Sequence, residues 1–223
     1  MVNIIFIGAP GSGKGTQSEL LGDNLKIPNI STGDILRREV QQKSDIGILA
    51  KSYMNSGSLV PDDVMIGIIK RRISKNDCDN GFILDGFPRN YEQNEILKTM
   101  LIDLGKKIDL VINIDVDDGV LIKRIAGRFS CAKCNSVYNR FFNQTKLKDV
   151  CDKCGGVEFN SRSDDNEETV KNRLKVYNQN TEKLISIYKE KSLFFSVDGL
   201  KGIALINSEI NEAVDKVILG ISN

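Results

Sequence analysis

The junction between the apolar run Val2 to Ile7 and Gly8-Ala9-Pro10-Gly11-Ser12-Gly13-Lys14-Gly15-Thr16 constrains the fold of this chain more than any other stretch. A buried strand, a glycine-rich turn, a lysine and a hydroxyl in that order make a phosphate-binding loop. The glycines let successive backbone N–H groups curl around phosphate oxygens, and the following helix presents its positive dipole end to them. Lys14 adds a point charge beside a transferred phosphate, and Thr16 offers a hydroxyl near Mg²⁺. The stricter form of the loop has Ser or Thr directly after the lysine; here Gly15 intervenes. Helical spacing at Thr16, Leu20, Leu21 and Leu25 supplies the helix. A chain built this way binds a nucleoside phosphate.

Four more apolar segments read as buried strands: Ile27–Ile30, Phe82–Leu84, Leu110–Ile114 and Leu193–Val197. They are apolar on both faces and separated by helical patterns. That combination predicts an α/β fold, a five-stranded parallel sheet with helices on both faces. One helical stripe is Val170, Leu174, Tyr177, Thr181, Leu184, Tyr188, and a second is Ile210, Val214, Val217, Ile221. Both read as core packing. At 223 residues, one such domain with small insertions accounts for the whole chain.

Two stretches break the rhythm. Residues 31–60 are small, polar and helical, and residues 128–165 are polar, turn-rich and without helical period. Both are expected as compact insertions on the functional edge of a core made of 1–30, 61–127 and 166–223.

The second insertion holds Cys131-Ala132-Lys133-Cys134 and Cys151-Asp152-Lys153-Cys154, two C-x₂-C knuckles sixteen residues apart. Four thiolates at this spacing close a tetrahedral zinc shell and leave no open position, so the metal is expected to be structural. It would hold a β-rich segment too small to bury a sufficient core. Lys133 and Lys153 would offset part of the thiolate charge, and iron is the alternative metal. Cys78, unpaired in sequence, reads as a buried thiol. A zinc ribbon that touches nucleic acid is the rival reading. The segment lacks the dense Lys/Arg patch with interleaved aromatics that such a ribbon needs.

Charge gives no global field: 31 basic against 30 acidic residues, net +1, point to neither nucleic acid nor membrane. No apolar run reaches the roughly 18 residues of a membrane span. The N-terminus lacks a basic region before its apolar run and reads as a strand, not a signal peptide. Cysteines at metal spacing suggest a reducing, cytoplasmic setting. The chain has no histidine, so any base or metal ligand is another residue type.

Arginines gather at the mouths of the insertions. Arg37 follows Ser31-Thr32-Gly33-Asp34, and Arg89 ends Asp85-Gly86-Phe87-Pro88-Arg89. Arg124 and Arg128 precede the cysteines, Arg162 follows them, and Arg173 lies on the next helix. Phosphoryl transfer needs two anions in line and neutralised charge on the moving group. The planar fork of arginine grips phosphate oxygens two at a time.

Taken in order, GAPGSGKGT, STGDILR, GSLVPD, DGFPRN with Gln93, Gly127-Arg128 and RSDDNEETVKNRL resemble the adenylate kinase family in its long-lid, zinc-binding form. The resemblance covers essentially the whole chain, and Gly-Lys-Gly-Thr is the family's form of the loop. It implies the P-loop NTPase architecture and the reaction ATP + AMP ⇌ 2 ADP. Residues 31–60 would close over AMP and 128–165 would form the lid over ATP. Thr32, Arg37, Ser58, Leu59, Val60, Gly86, Phe87, Pro88, Arg89 and Gln93 would surround AMP. Arg128, Val137, Tyr138 and Lys201 would contact ATP, with Arg124 near its adenine. Arg162 and Arg173 would reach the phosphates on closure, and Asp85 would position Mg²⁺ through water. Asp164 and Asp165 would either latch the lid or stay solvated. The resemblance also implies a monomer.

A UMP/CMP kinase of the same fold is the nearest rival. Asn90 favours it, since adenylate kinases more often have Thr there. Gln93, which can donate to and accept from an adenine edge, and the long cysteine-bearing lid favour AMP. GTP as donor stays open, because backbone groups largely read that base. A non-catalytic nucleotide switch would need no acceptor site, against which Arg37, Arg89 and Gln93 stand.

Overall fold

The computed structural model describes residues 1–190 and 193–220. In chain order the elements are β1 (Val2–Ile7), α1 (Lys14–Leu25), β2 (Asn29–Ser31), α2 (Thr32–Gln42), α3 (Asp45–Ser56) and α4 (Asp62–Ile73). A 3₁₀ turn at Asn76–Cys78 leads to β3 (Gly81–Asp85), α5 (Tyr91–Asp103), β4 (Leu110–Asp115) and α6 (Asp118–Ala126). Then come β5 (Arg128–Cys131), β6 (Val137–Asn139), β7 (Phe159–Asn160) and α7 (Glu167–Val176). A π-turn at Tyr177–Thr181, α8 (Glu182–Lys189), β8 (Phe194–Asp198) and α9 (Ile203–Ile218) complete the chain.

Five strands pair in the order β2-β3-β1-β4-β8, every pairing parallel. The alternation of side chains along a strand feeds two separate cores. Ile5, Ile7, Leu84 and Val111 pack with Ile69 of α4, Leu97 of α5 and Leu184 of α8. Ile4, Phe6, Ile83, Ile112 and Ile114 pack with Leu21 of α1 and with Ile210 and Val214 of α9. Parallel strands buried on both faces need the continuous apolar runs seen in the sequence. Strands β6-β5-β7 form a separate antiparallel sheet over the cysteine segment.

Some expectations shift. The second strand spans Asn29–Ser31 instead of Ile27–Ile30. Lys26 caps α1 in a left-handed conformation, and the Ile27 N–H still donates to Gly22 O at 3.2 Å, so residue 27 belongs to the helix end. Pro28 has no N–H; its carbonyl accepts from Ile83 N at 2.9 Å, and the ladder starts after it. The last strand moves one residue on, from Leu193–Val197 to Phe194–Asp198. Leu20 is exposed while Gln17 and Ser18 are buried, because α1 packs closely over β2 with small and polar groups. The stripe from Val170 to Tyr188 is two helices joined by the π-turn. Ile221, the last member of the C-terminal stripe, lies outside the described residues. Among the described residues no helix is long and apolar enough to cross a membrane.

Candidate active site

β1 ends at Ile7 and the chain turns through Gly8–Gly13 into α1. Gly11 (φ 84°) leaves no room for a side chain: a Cβ there would come 2.7 Å from Ile125 Cγ1 and 3.2 Å from Leu121 O. The loop thus packs against α6, and the Ser12 N–H closes a turn onto Ala9 O at 3.1 Å. Lys14 folds back, its ammonium donating to Gly8 O and, at 2.9 Å, to Ala9 O. Burial lowers its pKa to about 8. Arg89, Arg173 and Arg128 push the same way, against the opposing pull of Asp85. Ser12 Oγ is buried and unpaired, a polar atom aimed into the loop with no protein partner.

Asp85 is the last residue of β3, and its Oδ2 lies 3.7 Å from where a Cβ on Gly15 would stand. This puts a carboxylate beside the loop, where a Mg²⁺ ion held by phosphates and Thr16 would sit. Burial raises its pKa, and Lys14 opposes that rise.

Past Asp85 the chain turns at Gly86 (φ 81°), where a Cβ would meet Thr32 Oγ1 at 2.8 Å and Arg89 Nη2 at 3.0 Å. Thr32 Oγ1 donates to Gly86 O at 3.0 Å, tying α2 to this turn. Arg89 is held at three points. Its N–H donates to Gln93 Oε1 (2.7 Å), its carbonyl accepts from Thr181 Oγ1 (2.8 Å), and its Nε donates to Gly86 O (2.8 Å). An arginine fixed at its backbone N–H, its carbonyl and its Nε is preorganised for a phosphate. Burial pulls its pKa below the ordinary value.

The other arginines converge on the same space, each leaning on a carboxylate. Arg37 pairs with Asp34 at 2.6 Å, and Arg162 lies 4.0 Å from that same Asp34 oxygen. Arg128 grips Asp165 with two nitrogens, Nε at 2.7 Å, and Arg173 holds Asp164 at 2.7 Å. Burial lowers Arg162 and Arg173 to about 10, and Arg128 nearby adds to both shifts. Burial would raise Asp34, but Arg37 and Arg162 hold it below its ordinary range. Lys14, Arg37, Arg89, Arg128, Arg162 and Arg173 face Asp34, Asp85, Asp164 and Asp165, so the cluster keeps surplus positive charge. Phosphate oxygens would relieve that repulsion. Asp164 and Asp165, for which the sequence allows either a latch or solvated carboxylates, are ion-pair partners, Asp164 buried and Asp165 half-buried with its carboxylate covered.

Other sequence candidates stand elsewhere. Arg124 donates to Ser12 O (3.3 Å) and Gly199 O (2.8 Å), and Phe142 covers its guanidinium with ring centroid 5.4 Å away. Lys201, on the turn after β8, pairs with Glu209 at 2.6 Å. These mark a second end of the site, beyond the loop. The Tyr138 side chain turns into the lid, donating toward Cys151 Sγ (3.3 Å) and accepting from Asp152 N (2.8 Å), so only its backbone remains for a ligand. Val137 is half-buried beside it. Phe87 and Val60 belong to the apolar core, Leu59 is half-buried and Ser58 is exposed. Gln93 gives its amide N–H to Asp62 (2.7 Å) and its carbonyl to Arg89. The sequence reading missed Thr181 and Asp62 as partners. Thr181 appeared only as one step in a helical stripe, and Asp62 only as the end of GSLVPD.

The four thiols of Cys131, Cys134, Cys151 and Cys154 lie within 4.8 Å of one another, with Cys131–Cys154 at 3.6 Å and Cys134–Cys151 at 3.5 Å. A tetrahedron with Zn–S bonds near 2.3 Å has edges of about 3.8 Å, so the set fits a zinc ion. Each knuckle closes alike: Asn135 N donates to Cys131 O and Gly155 N to Cys151 O, both at 2.9 Å, and both residues have positive φ. The Tyr138 hydroxyl is the chief cause that holds the Cys151 thiol below its ordinary value, while the neighbouring thiols push Cys154 above its own. Lys153 reaches away from the sulfurs to Glu19 of α1 at 2.7 Å.

Comparison with known proteins gives a consistent result. A family model described as adenylate kinase matches residues 6–193. An adenylate kinase of Methanosarcina barkeri is 50% identical over 215 residues, covering 96% of this chain and 99% of that protein. That of Enterococcus faecalis is 46% identical over 215 residues, covering 96% and 100%. That of Bacillus licheniformis is 47% identical over 211 residues, covering 95% and 97%.

Proposed function

The chain belongs to the adenylate kinase family, and from that premise we propose how its residues divide the work of moving a phosphoryl group from ATP to AMP. An oxygen of the AMP phosphate attacks the γ-phosphorus of ATP, the bond to the β–γ bridging oxygen breaks, and two ADP result. The acceptor is anionic at neutral pH, so a chain without histidine needs no general base. What it needs is alignment and neutralised charge. The observation that carries the reading is the convergence of Lys14 and five arginines beside a glycine loop.

In this reading Gly11 to Thr16 cradle the ATP phosphates, and Arg128, Val137, Tyr138 (through its backbone), Arg124 and Lys201 face the rest of ATP. Thr32, Arg37, Ser58, Leu59, Val60, Gly86, Phe87, Pro88, Arg89 and Gln93 form the AMP side. Asp34, Asp164 and Asp165 hold Arg37, Arg128 and Arg173 in place until phosphate oxygens replace the carboxylates. Thr16 and, through water, Asp85 would hold the Mg²⁺ of Mg-ATP, which would supply charge neutralisation. Residues 31–60 and 128–165 close over the substrates so that water does not compete as acceptor. The four cysteines would hold zinc as a structural ion, with every coordination position filled by sulfur. We place the protein in the reducing cytoplasm on the strength of its metal-spaced thiols, and as a monomer on its family resemblance.

A coupled assay for ADP from ATP plus AMP with Mg²⁺ tests the whole reading. No ADP ends it. ADP formed equally well from UMP or CMP moves the acceptor assignment to the pyrimidines.

A further inference from the structure

Asp62, in the first turn of α4, belongs to no phosphate contact, yet it closes a ring of hydrogen bonds around Gln93. The Gln93 N–H donates to Asn90 Oδ1 at 2.8 Å, which caps α5. Asn90 Nδ2 donates to both Asp62 oxygens at 3.0 and 3.1 Å, and Gln93 Nε2 donates to Asp62 Oδ1 at 2.7 Å. The Arg89 N–H donates to Gln93 Oε1 at 2.7 Å. Gln93 is only 1% exposed, so water cannot replace any of these partners.

We propose that Asp62 is a positioning residue that fixes which way the Gln93 amide faces, and so makes the acceptor site choose a 6-amino purine over a 6-oxo purine. The inference rests on the reading of Gln93 as facing the acceptor base. A backbone N–H can only donate and a carboxylate can only accept. Turning the amide over would set donor against donor at Arg89 and acceptor against acceptor at Asp62. Buried polar groups left unpaired in this way are expensive. With the amide fixed, one N–H and one carbonyl lone pair remain for a base. Adenine offers a donor at N6 and an acceptor at N1, which this orientation satisfies. Hypoxanthine offers the reverse, an acceptor at O6 and a donor at N1, and would require the forbidden orientation. An acid in the first turn of α4 also suits the helix dipole. That role affects stability and leaves base choice alone.

The test is the ratio of kcat/KM for AMP to kcat/KM for IMP in the unmodified protein, Asp62→Asn and Gln93→Ala, with melting temperature and ATP KM measured alongside. In Asp62→Asn the new side-chain amide can present either its oxygen or its nitrogen, so the lock at Asp62 is lifted and only the Arg89 N–H still holds the Gln93 carbonyl. Asp62→Asn is expected to lower the AMP:IMP ratio by about tenfold or more, mostly through KM for AMP. Gln93→Ala should lower it further. Loss of preference in Gln93→Ala but not in Asp62→Asn overturns the proposal and leaves the Gln93 reading standing. An unaltered ratio in Gln93→Ala overturns both. Should Asp62→Asn fail to fold, the ¹⁵N-labelled protein without nucleotide decides. One Gln93 side-chain amide proton must be protected from solvent exchange; free exchange of both contradicts the proposal.

Discussion

β1 buries all six of its residues, and the parallel sheet around it is packed on both faces by helices. The core of the lid consists of Phe129, Tyr138 and Phe159, with ring centroids 5.2 to 5.9 Å apart, and the four thiols. Phe141, Leu147 and Val157 of the same segment are exposed. Each fully buried large apolar side chain contributes roughly 1.5–3 kcal/mol, so the sheet can stand on apolar burial while the lid cannot. The difference teaches where chemistry and order come from. The sheet supplies a rigid edge for the loop, Asp85 and Arg89; the cysteine segment, in the proposed reading a lid stapled by a metal, would supply arginines that move.

The sharpest way to break this comparison is Lys14→Ala, a change on the rigid side. It is expected to cut kcat by about 10²–10³-fold at unaltered zinc content and melting temperature. Undiminished turnover contradicts the role given to the loop lysine. Arg89→Ala comes next, with kcat/KM for AMP falling about 10²-fold while ATP binding, followed by calorimetry, holds. Equal losses for both nucleotides would place Arg89 on neither side.

On the stapled side, Cys131→Ser should lose the metal by elemental analysis and lower the melting temperature by about 5–10 °C. Turnover at low temperature should fall far less than in Lys14→Ala. Full metal occupancy in that variant sinks the four-thiolate site. The loop lysine also predicts a pH limb. Burial puts its pKa at about 8, so the ammonium is complete below that pH and is lost as pH rises through it. A plot of kcat/KM for ATP, which reports the free enzyme, should be level near pH 7 and fall about tenfold per unit above pH 8. A profile level to pH 10 removes Lys14 from the titration. The smallest effect belongs to the clasp between the two regions. Lys153→Ala removes an exposed pair with Glu19 worth about 0–1 kcal/mol, and KM for ATP should rise less than about fivefold.

The rigid half was legible in the sequence because its physics is local. Apolar runs and a glycine turn announce their roles within a few residues, as do the two C-x₂-C knuckles of the other half. The fine structure of the site was not, because it rests on contacts far apart in the chain. Nothing near Arg89 in sequence says that Thr181 holds its carbonyl, and nothing in GSLVPD says that Asp62 will meet Gln93. The strand that starts at Asn29 instead of Ile27 shows a local signal misread. An isoleucine there pointed to a strand, while Pro28 and the helix cap decided the backbone.

The π-turn at Tyr177–Thr181 has a consequence for insertions and deletions. Val170 and Leu174 before it pack into one apolar cluster with Leu121 and Ile125, whereas Leu184 and Tyr188 after it pack into another under the sheet. A π-turn carries one residue more than an α-turn, which re-phases the downstream helix by roughly 100°. Deleting a single residue there would leave a sequence that still reads as good helix. It would also swing Leu184 and Tyr188 out of their core and pull the Thr181 hydroxyl from Arg89. Along this stretch the number of residues is as much a part of the active site as their identity.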